Sequence, residues 1–434
     1  MHLSLQRVSN CILSFALAAC SFAAVCHGQA IAPVITVDHG PNAQEQLSKH
    51  YVILVSLDGF RYDYAKRYQA EHLLALAAEG ASAADGMLPA YPSITFPNHY
   101  TIITGLYPEH HGLVANSFYD PARKETYSYR DSKTVGDGTW YGGTPLWVLA
   151  EQQGMRSASF FWVASEAEIQ GTRPAYYLKY DEKFPNPKRV DQVLAWLRLP
   201  PEQRPHFITL YFSDADHAGH EYGPESPQVA DAVHELDDEM GRLVSGLRRL
   251  NLPVNVIIVA DHGMVKVEDG VVALDEFGLK SSSFEKIVGL SFYPKSEADA
   301  ESAYETLRGK SNRFVVYRRA DTPAGLHFDS NPRAGDPIVV ATGPYSIRLS
   351  ADSRMPQSVP AGNHGYDPSR VPEMKAIFVA MGPDIVPGST VASFENVNLY
   401  PLIAKILGLD ISHLQTGPID GKLSALQAIL KVPN

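Results

Sequence analysis

Short runs of apolar, often β-branched residues recur along the chain at Tyr51–Leu57, Ser157–Val163, His206–Phe212, Val254–Ala260 and Ala376–Met381. They are continuous rather than alternating, which predicts strands buried on both faces. Between them, apolar residues repeat at helical spacing in Ala65–Glu79, Thr144–Gln153, Pro187–Leu199, Ser226–Leu250 and Asn398–Leu407. Strands alternating with helices predict an α/β fold: a mostly parallel central sheet with helices on both faces. Residues 271–354 break the rhythm. There, Ile287–Pro294, Arg313–Arg319 and Ile338–Leu349 read as strands and Glu297–Gly309 as a helix. This predicts a small inserted α+β cap subdomain, with the core formed by 47–270 and 355–434. Residues 31–46, with Pro, Gly, Asn and Gln, read as a linker. No internal repeat or low-complexity segment is present.

The first 30 residues stand apart. Arg7 precedes an apolar, small-residue run at 11–26, and Gly28 and Ala30 suit the -3 and -1 positions of a cut after Ala30. A signal peptide is expected, since 16 apolar residues are short for a span of about 20. Leu17-Ala18-Ala19-Cys20 also resembles a lipoprotein box, so a lipid anchor at Cys20 is the alternative. All three Cys (Cys11, Cys20, Cys26) lie inside this segment, and no Asn-x-Ser/Thr sequon occurs. The remaining chain can form no disulfide framework, catalytic thiol or thiolate metal site. The expected location is the bacterial periplasm.

Composition narrows the partners. The 434 residues are 45% hydrophobic and 20% charged, which is globular composition. The formal net charge is -11, and loss of Arg7 with the leader makes it -12. That argues against duplex nucleic acid and anionic membrane surfaces as partners. A small anionic substrate remains open, because a metal can supply local positive charge. No membrane span is expected, and a monomer is the working state.

Three apolar strands run directly into acidic stations: Asp58-Gly59, Ser213-Asp214-Ala215-Asp216 and Asp261-His262-Gly263. In open α/β sheets the crevice outside the carboxyl ends of strands binds ligands. One Asp there is ordinarily a turn former. Three carboxylate stations at one edge repel one another unless a cation intervenes. Asp216 and His220 lie four apart around Gly219, and His364 sits between Asn363 and Gly365, 102 positions after His262. A mixed Asp/His set without sulfur suits Zn²⁺ and other borderline ions. His217 reads as a surface residue, and His99, His110 and His111 as local structure or support behind the ligands.

The nucleophile candidate lies in Tyr91-Pro92-Ser93-Ile94-Thr95-Phe96-Pro97-Asn98-His99. Pro97 suits a first helical turn, so Thr95 or Phe96 falls near a helix N-cap. A Thr there is ordinarily a cap. A helix N-terminus also favours phosphate, and a metal can activate a hydroxyl. Asn116 is a further polar candidate, with a turn residue as the plain reading.

In combination, VSLDGFR at Val55–Arg61, PSITFPNHYTIITGLYPEHHG at Pro92–Gly112, ANSFYDP at Ala115–Pro121, DHAGH at Asp216–His220, ADHGM at Ala260–Met264 and GNHGYDP at Gly362–Pro368 resemble the nucleotide pyrophosphatase/phosphodiesterase family of the alkaline phosphatase superfamily, as a bacterial member. The resemblance runs from about Tyr51 to Leu409. It implies an alkaline-phosphatase-like core and two Zn²⁺ ions. One would be held by Asp58, Asp261 and His262 and would touch Thr95; the other by Asp216, His220 and His364. It further implies Thr95 as nucleophile through a phospho-threonine, with Asn116 and the Phe96 N–H holding a phosphate oxygen. Many vertebrate members carry Glu-Pro where this chain has Asp214-Ala215, which leaves two acids beside each other as ligand candidates; the spacing to His220 favours Asp216.

For substrate, Phe96 follows the nucleophile, and Tyr180 stands where nucleotide-cleaving relatives carry a base-stacking Tyr. The pair is a reasonable slot for a nucleobase, with core aromatics as the plain reading. The expected activity is zinc-dependent hydrolysis of nucleotide phosphodiester and pyrophosphate bonds, releasing nucleoside monophosphates. The alternative is a phospholipid-headgroup or glycerophosphodiester phosphodiesterase with the same metals. A sulfatase is disfavoured, because Thr95-Phe96-Pro97-Asn98-His99 offers no C/S-x-P-x-R motif. A non-catalytic binder is disfavoured by the Thr hydroxyl itself.

Overall fold

In the computed structural model, which describes residues 33–268, 271–350 and 360–432, all seven residues of Tyr51–Leu57 are buried. The strand pairs in parallel with Phe207–Phe212 on one side and Val254–Val259 on the other. These are the centre of a nine-stranded sheet. Its order is Ile35–Thr36, Tyr176–Leu178, Ser157–Phe160, Phe207–Phe212, Tyr51–Leu57, Val254–Val259, Phe378–Met381, Ala81–Ala83 and Ser389–Val391. Five neighbouring pairs are parallel and three antiparallel. Helices Glu71–Glu79 and Asn186–Trp196 pack on Pro227–Leu250, while Thr95–Thr104 and Leu399–Leu407 pack together as a second group. This is the mostly parallel α/β sheet that the apolar runs predict. The register brings Leu57, Phe212 and Val259 to one edge, so Asp58, Asp216 and Asp261 emerge side by side.

Several expected elements end early, each for a local reason. Ala65–Glu79 is two helices, Tyr64–Arg67 and Glu71–Glu79. Gln69 has φ +55°, and the Asp237 carboxylate of the neighbouring helix accepts the N–H groups of His72 and Leu73. An outside carboxylate thus satisfies donors that an unbroken helix would not expose. The strand from Ser157 stops at Phe160 because Phe161 has φ +65°. The stretch read as a linker contributes the edge strand Ile35–Thr36. It is tied down by buried Asn42, whose amide bonds the carbonyls of Pro201 and Arg204.

Residues 271–349 form separate small pairings: Phe284–Val288 with Ser291–Pro294, Phe314–Tyr317 with Ile338–Ala341, and Val271–Ala273 with Ser346–Arg348. Ile287–Pro294 is therefore a hairpin rather than one strand, turned at Gly289 with φ +58°. Ile338–Leu349 is likewise divided, around Gly343-Pro344. With helix Glu297–Leu307 these elements have their own apolar cluster, including Leu274, Phe284, Phe292 and Phe314.

Two anchors tie this region to residues 109–120. Arg333 donates to Asp120 Oδ2 at 2.8 Å and to the carbonyls of Gly112 and Trp140 at 3.0 Å. Glu109 Oε2 accepts the N–H groups of Asp329 and Ser330 and the Ser330 hydroxyl. The leader, including Cys20, lies outside the described residues, and no described helix is long and apolar enough to cross a membrane.

Candidate active site at the strand ends

Asp58 directly follows the central strand and is buried. Gly59 is required beside it: its φ is +67°, and a Cβ would meet Asp216 Cα at 2.8 Å. That close approach draws two acidic stations together. Asp216 lies in the first turn of helix Asp214–Tyr222 and His220 one turn later, so both side chains share a face. His220 Nε2 is 3.5 Å and His364 Nε2 3.6 Å from Asp216 Oδ1. Asp214 turns elsewhere, accepting a bond from the Asn186 amide at 2.8 Å. In the third station, His262 Nε2 lies 3.0 Å from Asp261 Oδ2 and 3.5 Å from Asp58 Oδ1.

The histidine tautomers follow from their partners. His220 Nδ1 faces the Gly362 carbonyl, His262 Nδ1 that of Gly263 and His364 Nδ1 that of Ser93, at 2.9–3.0 Å. A carbonyl only accepts, so each Nδ1 carries a proton and each Nε2 is turned inward. Burial would lower His262, but Asp261 outweighs it and raises that ring above the usual imidazole value. His220 Nε2 and His364 Nε2 stand 3.0 Å apart. Two lone pairs at that distance repel unless a cation lies between them.

The carboxylates tell the same story. Asp58 Oδ1, Asp216 Oδ1 and Asp261 Oδ2 are buried without a hydrogen-bond partner. Burial, then the charges of Asp261 and Asp216, push Asp58 well above the usual carboxylate range. Burial would raise Asp261 too, but His262 and His99 outweigh it and hold this acid well below that range. Burial is also the largest influence on His364, and with His262 and His220 it holds that ring well below the usual imidazole value. Orphaned oxygens facing inward lone pairs are the donor set of a borderline divalent cation. Asp216, His220 and His364 form one such group; Asp58, Asp216 and His262 form another, and Asp58, His99 and Asp261 a third. The residues present therefore fit a metal.

Thr95 opens helix Thr95–Thr104, with Ile94 as N-cap. Its Oγ1 lies 3.4 Å from His262 Nε2, at the rim of the cluster. The hydroxyl thus caps nothing and faces the ligands. The Phe96 N–H is donated to Asn116 Oδ1 at 2.9 Å. The Phe96 N–H, expected to hold a phosphate oxygen beside Asn116, is thus engaged by the Asn116 carbonyl oxygen, which orients that amide and leaves its nitrogen as the donor. Phe96 is half-buried against the rings of Tyr127 and Tyr129. Tyr180 is 48% exposed, with ring edges on Phe161 and Tyr211. Phe96 and Tyr180 make no ring contact with each other among the described residues.

Of the supports, the sequence points to His99 but not to Tyr211 or Ser93. Tyr211 donates its hydroxyl to Asp58 Oδ2 at 2.6 Å. His99 lies under the site, near Asp261 through Nδ1 and bonded to the Ser56 hydroxyl through Nε2. Ser93 donates to the Tyr366 carbonyl and accepts the Gly365 N–H, joining the loop before Thr95 to the His364 loop. Each is polar in an apolar or turn setting, which is the only signal the sequence carries. His217 is exposed, as expected, beside Glu182.

A mostly parallel α/β sheet with a carboxylate–imidazole cluster at its strand ends defines a class of metal-competent hydrolase folds. Residues 52–367 match the family model described as type I phosphodiesterase / nucleotide pyrophosphatase. The chain belongs to that family, whose members are enzymes. It is 35% identical over 388 residues to an uncharacterized pyrophosphatase/phosphodiesterase of Schizosaccharomyces pombe, covering 86% of this chain and 79% of the relative. It is 34% identical to human ectonucleotide pyrophosphatase/phosphodiesterase family member 1, covering 88% of this chain but only 42% of that longer protein. Murine ectonucleotide pyrophosphatase/phosphodiesterase 5, solved as an inactive Thr-to-Ala variant with AMP, superposes with a TM-score of 0.81 at 28% identity. That match covers 88% of this chain and all of the murine one.

Proposed function

We propose that this protein is a zinc-dependent phosphodiesterase and pyrophosphatase acting on nucleotides and nucleotide-like diesters, and that it releases nucleoside monophosphates through a phospho-threonine. The observation that carries this reading is the Thr95 hydroxyl, 3.4 Å from His262 Nε2, at the rim of three orphaned carboxylate oxygens. Asp58, Asp261 and His262, with Thr95 alongside, would hold one ion; Asp216, His220 and His364 would hold the other. Zinc, when bound, supplies Lewis-acid charge that lowers the pKa of a hydroxyl and offsets phosphate charge.

Thr95 Oγ attacks phosphorus in line, the bond from phosphorus to the departing oxygen breaks, and the proton lost by Thr95 passes through solvent to that oxygen. Water then splits the phospho-threonine, returning the hydroxyl and freeing the monophosphate. Asn116 donates to a non-bridging phosphate oxygen, its amide held by the Phe96 N–H. Tyr211 fixes Asp58 through its hydroxyl, and His99 Nδ1 donates to the Thr95 carbonyl at 2.9 Å, holding the nucleophile's backbone. Phe96 and Tyr180 offer aromatic faces to a base; the AMP bound to the murine relative supports a nucleotide as the substrate class.

Assaying the zinc-loaded enzyme against nucleotide, sugar-nucleotide and lipid diesters tests this reading. A lipid preference, with no nucleoside monophosphate released, replaces it. Export follows as a second part of the proposal, with a mature end near Ile31 in the periplasm. N-terminal sequencing of native protein checks it, and an acylated Cys20 overturns it.

A further inference from the structure

Arg189, in helix Asn186–Trp196, is 2% exposed. Its guanidinium donates to carbonyl oxygens. Nε and Nη2 bond Phe184 at 3.1 and 3.0 Å, and Nη1 bonds Tyr211 at 2.8 Å. The Glu182 carbonyl stands 3.5 Å from Nη2. The guanidinium carbon lies 5.3 Å from the Phe161 ring centre and 5.6 Å from that of Phe212. Burial draws the Arg189 pKa below the usual arginine value, and the charge of Asp214 offsets only part of this.

These carbonyls belong to two segments that meet at the site. Glu182 and Phe184 lie in the loop that begins at Tyr180. Tyr211 is the next-to-last residue of strand Phe207–Phe212, and its hydroxyl donates to Asp58. An apolar residue of the same volume would leave the carbonyls unmet, and a lysine ammonium is a single point charge. The planar fork of an arginine joins both segments at one set distance. Phe161 carries that setting to Tyr180. Its ring touches the guanidinium on one side, and its centre is 5.4 Å from that of Tyr180. Its φ of +65° is one that a bulky side chain rarely adopts. Such strain persists where surrounding contacts over-determine it, and it gathers at ligand sites.

We infer that Arg189 is a positioning residue for substrate selection: by joining the 180–184 loop to the Tyr211 strand end, it sets the Tyr180 ring where a nucleobase stacks, and so determines the preference for base-bearing over base-free diesters. This inference rests on the nucleotide reading above and adds the residue that builds its selectivity. The loop, not the strand, is what gives way without the fork. Tyr211 is fixed independently by its register against Ser56, whereas residues 181–185 pair with no strand. Asp58 therefore keeps its hydroxyl partner, and the effect of Arg189 passes through Tyr180.

The test compares kcat and KM for a nucleoside 5′-monophosphate alkyl ester and a dialkyl phosphate on the zinc-loaded protein. Arg189→Lys keeps the charge and most of the stem and is expected to fold. It is expected to lower kcat/KM for the nucleotide ester about tenfold, within the range of losing one stacking face. That loss is expected in KM, since stacking on the base holds substrate and transition state alike. The dialkyl phosphate is expected to change far less, and zinc content not at all. Arg189→Met is expected to widen the difference between the two substrates, and Arg189→Lys decides the matter if Arg189→Met does not fold. In a Tyr180→Ala background, Arg189→Lys is expected to add little, because both changes act on one contact.

An equal fall for both substrates makes Arg189 a support of the fold and overturns the inference. So does loss of zinc from a folded variant, which routes the effect through Tyr211 to Asp58. Additive losses in the double variant overturn it too, as does a folded Arg189→Lys protein with wild-type selectivity. A wild-type enzyme that hydrolyses no nucleotide ester removes the nucleotide reading, and this inference with it, before any variant is compared.

Discussion

The strand-end cluster and the 271–349 wall are built on opposite principles. In the cluster, buried carboxylates and imidazoles are crowded until three oxygens have no partner and two ring nitrogens face each other at 3.0 Å. The wall satisfies itself. Its strands pair locally, its apolar residues form their own cluster, and Arg333 pairs with Asp120 of the core. The first region is unstable as a set of charges until a cation arrives. The second has an apolar cluster of its own and is held to the core through Arg333 and Glu109. Chemistry is thereby fixed by the sheet, where a single strand register positions every acid. Shape is assigned to an added layer that can vary without moving a ligand.

The largest expected effect breaks the cluster's chemistry while sparing its metal. Thr95→Ala is expected to lower turnover by about 10³-fold or more, as loss of a covalent nucleophile does, with zinc content unchanged. Thr95 contributes one oxygen at the rim, and six other side chains remain to hold the ions. Thr95→Ser is expected to keep part of the activity, since the hydroxyl survives without the methyl that fixes its rotamer. Rates and metal analysis on the same preparations check both. A metal-replete Thr95→Ala enzyme at wild-type speed rules out the phospho-threonine.

Next, His364→Ala is expected to lower the zinc content from about two ions to about one, since it removes one of three donors from its group. Its Nε2 lies 3.6 Å from Asp216 Oδ1 and 3.0 Å from His220 Nε2, so its loss leaves that group with two donors. Elemental analysis reads the result. Full occupancy in the variant places the second ion elsewhere.

The wall is probed through its anchor. Arg333→Ala removes the partner of Asp120, whose side chain is 8% exposed, and two carbonyl bonds. Removing one member of such a pair costs about 3 kcal/mol, read as a lower Tm. Zinc content is expected to be unchanged, because no metal group draws on the wall. A variant that loses metal together with stability erases the division between the two regions.

Those two regions also differ in how far the sequence discloses them. Continuous apolar runs gave away the central strands, since burial on both faces removes the polar alternation of a half-exposed strand. Acids placed directly after those runs had to meet once the strands paired in parallel, so Asp58, Asp216 and Asp261 were legible as a group. Elements ended by distant partners were not. Asp237 caps a helix from another part of the chain, and no local pattern near Ala70 records it. Tyr211 looks like any strand aromatic until its hydroxyl meets Asp58. The wall's hairpin hid because Gly289-Leu290 interrupts a run whose flanks are both apolar, and Ile35–Thr36 is too short to show any period.

The smallest expected effect separates recognition of a base from the shared chemistry. Tyr180 is the cleaner probe of the two aromatics. Phe96 is packed on Tyr127 and Tyr129 and follows the nucleophile, so its removal disturbs helix, cluster and Asn116 together. Tyr180 is 48% exposed, and its ring meets Phe161 and Tyr211 by its edges. Tyr180→Ala is therefore expected to change stability little. Loss of one stacking face costs about 1–3 kcal/mol, so kcat/KM for a nucleotide diester is expected to fall roughly 5- to 150-fold. A dialkyl phosphate, having no base, is expected to lose almost nothing. The control lies in the same contact. Tyr180 abuts Tyr211, and Tyr211 holds Asp58. If Tyr180 acts by bracing Tyr211, its loss lowers both substrates equally and weakens zinc binding. An equal fall would make Tyr180 a support of the cluster and leave the base slot without its outer face.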